Sequence, residues 1–124
     1  MSYVDGFLIP VPETRKEEYR RMARIGAQVF TDHGALEVVE CWGDDMMRGK
    51  QTDFFMAVRA GADENVVFSW IKWPDKATRD AGNKAAMADE RFREFEGSTI
   101  FDGKRMIYSG FALLIDSNDM GETV

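Results

Sequence analysis

Val66-Val67-Phe68-Ser69-Trp70-Ile71-Lys72-Trp73 is rich in β-branched and aromatic residues and carries apolar side chains in both of its alternating sets. Arg105-Met106-Ile107-Tyr108-Ser109-Gly110-Phe111-Ala112-Leu113-Leu114-Ile115 reads the same way. Strands that are apolar on both faces belong to a sheet covered on both sides. The rest of the chain offers enough helix for one cover, so the second is expected from another copy of the protein. A small-molecule site would then lie under the helices.

Outward from these strands, Tyr3 to Ile9 reads as a first strand closed by Pro10-Val11-Pro12, where missing amide donors discourage further pairing. Thr14 followed by Glu17 has the spacing of a capping box. Tyr19, Met22, Ala23, Gly26, Val29 and Phe30 then recur at three- and four-residue steps, which predicts a helix closing near His33-Gly34. Leu36 to Trp42 reads as a strand, the segment 43–50 as a loop, and Asp53 to Arg59 as another strand-like run. Pro74-Asp75 opens a second helix to about Ala88, and Phe92 and Phe95 suggest a further helical turn before the last strand, Lys104 to Ile115. The order β-α-β…β-α-β predicts an α+β fold of the ferredoxin-like, split βαβ kind, an antiparallel sheet with two helices on one face. Residues 1–116 are expected to form one domain, with 117–124 a disordered tail.

Composition narrows the partners. The chain of 124 residues carries 16 basic and 22 acidic side chains, a formal charge of −6. This opposes the positive field that nucleic acid and anionic membranes require. The lone Cys41 and lone His33 cannot build a Cys/His zinc site of ordinary spacing. Asp44 and Asp45 read as turn residues, so neither metal nor cofactor is expected. No apolar run approaches the roughly 20 residues that span a bilayer, and the first residues lack a charged and apolar leader. A reducing cytoplasm is the expected location.

Three stretches, with Val66 to Ile71, carry a resemblance: Tyr3-Val4-Asp5-Gly6-Phe7, the run His33 to Asp45, and Phe101 to Phe111. Together they resemble the domain-of-unknown-function family 1428 over nearly the whole chain. The resemblance implies a place in the dimeric α/β-barrel superfamily. That group includes cofactor-free monooxygenases, haem-degrading enzymes, muconolactone isomerase-like enzymes and many proteins without known activity. The family has no established reaction, and fold kinship alone does not supply one.

Two residues are candidates for proton transfer. Helical spacing puts His33 on the apolar face of the first helix, although a histidine there also suits the helix dipole and the last carbonyls. In the second strand, Leu36, Val38, Glu40 and Trp42 share one face, and a glutamate among apolar neighbours has its pKa raised by desolvation. The plainer reading of Glu40 is an edge-strand charge paired with an arginine. Cys41 reads as a small buried hydrophobe. Trp42, Trp70 and Tyr108 are candidates to line a pocket, and Arg105 to hold an anionic group; each has an equally simple reading as core or solvated strand end. Gly6 and Gly110, inside neighbouring strands, mark places of close approach. The leading expectation is a homodimer binding a small apolar or aromatic molecule between helices and sheet. The alternatives are a cofactor-free monooxygenase or isomerase, and a purely structural or interaction protein.

Overall fold

A computed structural model describes residues 1–120. Its elements are β1 (Tyr3–Pro12), a 3-10 turn (Glu13–Arg15), α1 (Lys16–Asp32), β2 (Glu37–Trp42), α2 (Phe54–Ala57), β3 (Glu64–Trp73), α3 (Lys76–Met87), a second 3-10 segment (Glu90–Phe95) and β4 (Ile107–Ala112). The strands form one antiparallel sheet in the order β2-β3-β1-β4. This is the ferredoxin-like α+β arrangement the sequence predicts.

The register sorts the side chains. Phe7 faces Ser69 and Tyr108, Ile9 faces Val67, and Val38, Glu40 and Trp42 face Ile71, Ser69 and Val67. This set lies under α1 and α3 and supplies the core: Ile9, Val11 and Val67 pack with Tyr19 and Ile100, and Ile71 packs with Ala35 and Trp73. On the opposite face run Val4, Gly6 and Leu8, flanked by Trp70 and Phe68 and by Phe111, Ser109 and Ile107. Phe68 (43%), Ile107 (46%) and Phe111 (57%) remain exposed there, an apolar sheet face without a helical layer. The short α2 covers one corner, stacking Phe54 on Phe68 at 6.2 Å.

Several boundaries differ from the sequence reading, each for a local reason. The run 53–59 contains a four-residue helix, because Asp53 accepts the Met56 amide at 2.7 Å as its N-cap. β1 continues through Pro10-Val11-Pro12 to meet Val66, Asn65 and Glu64. Beyond Leu8 it has a partner on one side only, so a proline can lose its N–H toward the open side without removing a ladder bond. α1 starts at Lys16 with no side-chain cap from Thr14. It closes with His33 as C-cap and Gly34 at φ 110°, the left-handed position glycine favours. β4 is shorter than Lys104 to Ile115, since the turn at 102–105 is held by Asp102, which accepts the Lys104 amide. Beyond β4, Asp116 pairs with Lys72 at 3.2 Å and accepts the Asn118 amide. The expected disordered tail at 117–124 falls partly outside the described residues.

Under α3 lies a buried polar cluster. Asp5, 2% exposed, accepts from Trp73 Nε1 at 3.0 Å, from Arg79 Nη2 at 2.8 Å and from Arg79 Nε at 3.0 Å. Arg79 also stacks over Tyr3. Gly110 makes this possible: a Cβ there would meet the Tyr3 hydroxyl and sit 2.7 Å from Arg79 Nη2. Gly82 does the same for Trp73, letting α3 close on the indole and on the end of α1. A carboxylate is tolerated at this depth because every buried side-chain N and O among the described residues has a partner.

Candidate functional site

Between α1, the Glu90–Phe95 segment and the sheet lies a cleft of about 460 Å³. α1 contributes Tyr19, Met22, Ala23, Gly26 and Phe30; the sheet contributes Phe7, Ile9, Val38, Glu40, Ser69 and Ile71. The irregular chain from Phe92 to Met106 closes the third side with Phe92, Phe95, Phe101 and Met106. A Cβ on Gly26 would stand in ordinary contact with the Phe92 ring, 3.7 Å away, so a longer side chain there would meet that wall. This wall is tied to α1 by Arg21 on Glu94 and Arg91 on Asp32 at 2.7 and 2.8 Å, and by Arg15 on Thr99. Such exposed pairs add little energy singly, but together they fix the segment's position.

Glu40 is the polar centre of the cleft. Its Oε1 accepts the Tyr19 hydroxyl at 2.6 Å, a short bond of the charge-assisted kind. Water reaches the residue along the open mouth, while protein crowds its other sides. That crowding pushes the carboxyl above the ordinary glutamate value, against the opposing effect of Tyr19's bond. Burial, then the charge of Glu40, pushes the Tyr19 phenol far above its own usual range, so it acts as a donor that stays protonated. Ser69, the direct cross-strand neighbour of Glu40, is buried beside it.

The other sequence candidates lie elsewhere. Trp42 lines a neighbouring groove with Lys16, Arg20 and Arg24, its ring 5.3 Å beneath the Lys16 ammonium. That groove shares Tyr19 and Glu40 with the cleft, so Glu40 sits at the junction of an apolar and a cationic recess. His33 lies outside the cleft lining. Its Nε2 pairs with Asp89 at 3.0 Å, joining the end of α1 to the start of the 3-10 segment. Arg91's guanidinium, then its backbone amide, then His33 hold Asp89 well below the usual carboxylate range. Trp70 is on the sheet face away from the helices, donating from Nε1 to Glu37 at 2.7 Å. Tyr108 is on the helix-side face but largely exposed on edge strand β4, stacked on Phe7 at 5.9 Å. Arg105 is engaged by both oxygens of Glu64 at 2.7 and 2.8 Å, by Asp102 and by the Arg59 carbonyl, and lines a separate shallow groove. Cys41 is exposed, on the open face opposite Phe68. Among the described residues no group of three or more His, Cys, Asp or Glu converges to hold a metal.

The residues that sequence reasoning passes over are Tyr19's hydroxyl, Ser69 and the wall Phe92, Phe95, Phe101 and Met106. Ser69 carries a usable signal, since it is the one hydroxyl in the apolar run Val66 to Ile71. In the wall, Phe92 and Phe95 carry the spacing of the helical turn that forms there, whereas Phe101 and Met106 carry no signal, because irregular chain has no period to read.

Fold and cleft define the class: a ferredoxin-like α+β domain with a recess between its helices and its sheet. Among solved structures, a dimeric ferredoxin-like protein from an uncultured marine organism matches with a TM-score of 0.59 at 13% identity, over 94% of this chain and 99% of the other. A mutant of SnoaB, described as a cofactor-independent oxygenase from Streptomyces nogalater, matches with a TM-score of 0.56 at 13% identity, over 94% and 96%. At these identities the likeness is one of fold alone. The chain itself belongs to the family described as "Protein of unknown function (DUF1428)", whose model matches residues 2–103. Its relative in Escherichia coli strain K12, uncharacterized protein YbaA, is 54% identical over 116 residues, covering 94% of this chain and 99% of that protein. No helix among the described residues is long and apolar enough to cross a membrane.

Proposed function

We propose that this protein is a homodimeric binding protein for a small, mostly apolar molecule held in the cleft between α1, the Phe92 to Met106 wall and the sheet. The observation that carries the reading is the cleft itself, an apolar recess with one convergent polar pair, Tyr19 and Glu40. Support for the dimer comes from the uncovered face bearing Phe68, Ile107 and Phe111, since burying such a face recovers roughly 25 cal/mol per Å². The fold neighbour described as dimeric points the same way. Residues 1–116 act as one domain in this reading, and the free, exposed Cys41 suits a reducing cytoplasm.

A titration of the purified protein with 2-methylnaphthalene, followed by intrinsic fluorescence, tests the binding. Gly26→Leu sends a side chain toward Phe92 and blocks the recess, and is expected to abolish binding at an unchanged or higher melting temperature. No binding by the parent protein, or equal binding by the blocked variant, overturns the reading.

Glu40 favours a second reading, proton transfer on the bound molecule, because it lines the cleft and its pKa is held above the ordinary glutamate value, which makes it a stronger base than a free glutamate. SnoaB, which shares the fold, is described as a cofactor-independent oxygenase. Of the two proton-transfer candidates, Glu40 is favoured over His33, which is engaged by Asp89. Loss of solvent-deuterium exchange into a bound carbon acid on Glu40→Gln is the expected result, and unchanged exchange removes this reading.

A further inference from the structure

We infer that the molecule taken by the cleft bears a hydrogen-bond donor and no negative charge: an apolar, ring-sized body with a hydroxyl or amino group, never a carboxylate or phosphate. This rests on the binding reading above and deepens it.

The groups that face the space set what it can hold. No Lys, Arg or His side chain lines the cleft, while two carboxylates do, Glu40 and Glu96. The Tyr19 hydroxyl proton is committed to Glu40 Oε1, so its oxygen offers only lone pairs. Glu40 Oε2 has no hydrogen-bond partner among the described residues, and Glu40 forms no ion pair among them. The Ser98 hydroxyl accepts the Ile100 amide and keeps its own proton, as does Ser69 beside Glu40. The lining therefore offers two carboxylates and no cation, the two serine hydroxyls being its uncommitted side-chain donors.

A ligand donor aimed at Glu40 Oε2 completes the carboxylate's shell. A ligand acceptor there would meet lone pairs, and an anion would add like-charge repulsion from Glu40. The cations Lys16, Arg20 and Arg24 line the adjoining groove beside Trp42 and are absent from the cleft lining, so they do not reverse its chemistry. The chain's net charge of −6 acts in the same direction, disfavouring the approach of anions.

Four probes sharing one ring system separate the possibilities: 2-naphthylmethanol, 2-naphthylmethylamine, 2-methylnaphthalene and 2-naphthoate, each titrated calorimetrically into the full-length protein. The alcohol and the amine are expected to bind at least ~10-fold more tightly than 2-methylnaphthalene, the size of one well-made charge-assisted bond, with the carboxylate weakest. In Glu40→Gln the amine loses its advantage and the carboxylate comes within a few-fold of the hydrocarbon. If 2-naphthoate binds as tightly as the alcohol, or all four bind alike, the inference is wrong while cleft binding stands. If none binds, 2-methylnaphthalene included, the binding reading fails and the inference with it. The ranking on the unmodified protein decides the matter even where the variant does not fold.

Discussion

Tyr19 gives its only proton to Glu40, and the two side chains set each other's chemistry. Tyr19→Phe removes the bond that lowers the Glu40 pKa, so that pKa is expected to rise further. The lost bond costs about 1 kcal/mol of stability. A carboxyl-carbon NMR titration reads the first effect, and a pKa that falls or stays put contradicts the pairing. The sign for stability follows from the same shift. A carboxyl whose folded pKa lies above its unfolded value is most stabilising while protonated, and that contribution is lost as pH rises through the folded pKa. The melting temperature of Glu40→Gln relative to the parent is therefore expected to increase as pH rises from about 4, the ordinary glutamate range, through the higher folded pKa. A flat difference would mean the crowding around Glu40 carries no penalty. Asp5 is the opposite case, a deeply buried carboxylate with partners on both oxygens. Asp5→Ala leaves the Trp73 N–H without its acceptor and Arg79 with Asp80 alone, and is expected to cost about 3–5 kcal/mol in chemical denaturation. A cost under about 1 kcal/mol would show that Arg79 simply swings into water. Strand alternation is enough to put Glu40 with Val38 and Trp42, because period two is rigid. The same rule cannot say which face of β3 meets the helices, so it leaves Trp70 among the pocket candidates although the ring faces away from them. His33 stands one residue past the last helical position, where helical spacing no longer governs direction.

At the scale of elements, α3 is seated by the absence of a side chain. A Cβ on Gly82 would meet the Trp73 ring and lie 2.7 Å from the His33 carbonyl oxygen, so neither neighbour can yield cheaply. Gly82→Ala is expected to destabilise by about 1–3 kcal/mol although alanine is the better helix former. A gain in melting temperature would mean that α3 does not seat as described. α1, β2, β3 and α3 are legible in the sequence because amphipathic and β-branched patterns of useful length leave few alternatives. α2 is not, since four residues are too few for a period, and its signal is a single Asp53 cap competing with an aromatic, strand-like composition. The proline-rich end of β1 misleads for a non-local reason. Whether a proline stops a strand depends on which side has a neighbour, and β4 ends its pairing at Ile107 opposite Leu8.

The whole molecule presents two unequal faces, one closed by helices and one carrying exposed Phe68, Ile107 and Phe111. If a second copy covers that face, Phe111→Lys combined with Phe68→Lys is expected to convert a dimer into a monomer by light scattering. The parent's melting temperature should then rise with protein concentration while the variant's does not. A monomeric parent, or a dimeric double variant, refutes the assignment of this face. The uncovered apolar face is legible from the doubly apolar strands, because a face meant for water would alternate to polar residues. The cleft is legible only in outline, as a space under helices, because its third wall is built by chain without repeat. The sheet order carries one more consequence. β1 is made first yet stands between β3 and β4, and its outer ladder is completed only when Tyr3 meets Ala112. During synthesis the nascent chain therefore carries a central strand with an open edge until β4 has left the ribosome. Long-range pairing of this kind is slow and exposes strand edges to other chains. Weakening β4 is thus expected to lower the yield of folded protein in the cell before it lowers the stability of the protein that does fold.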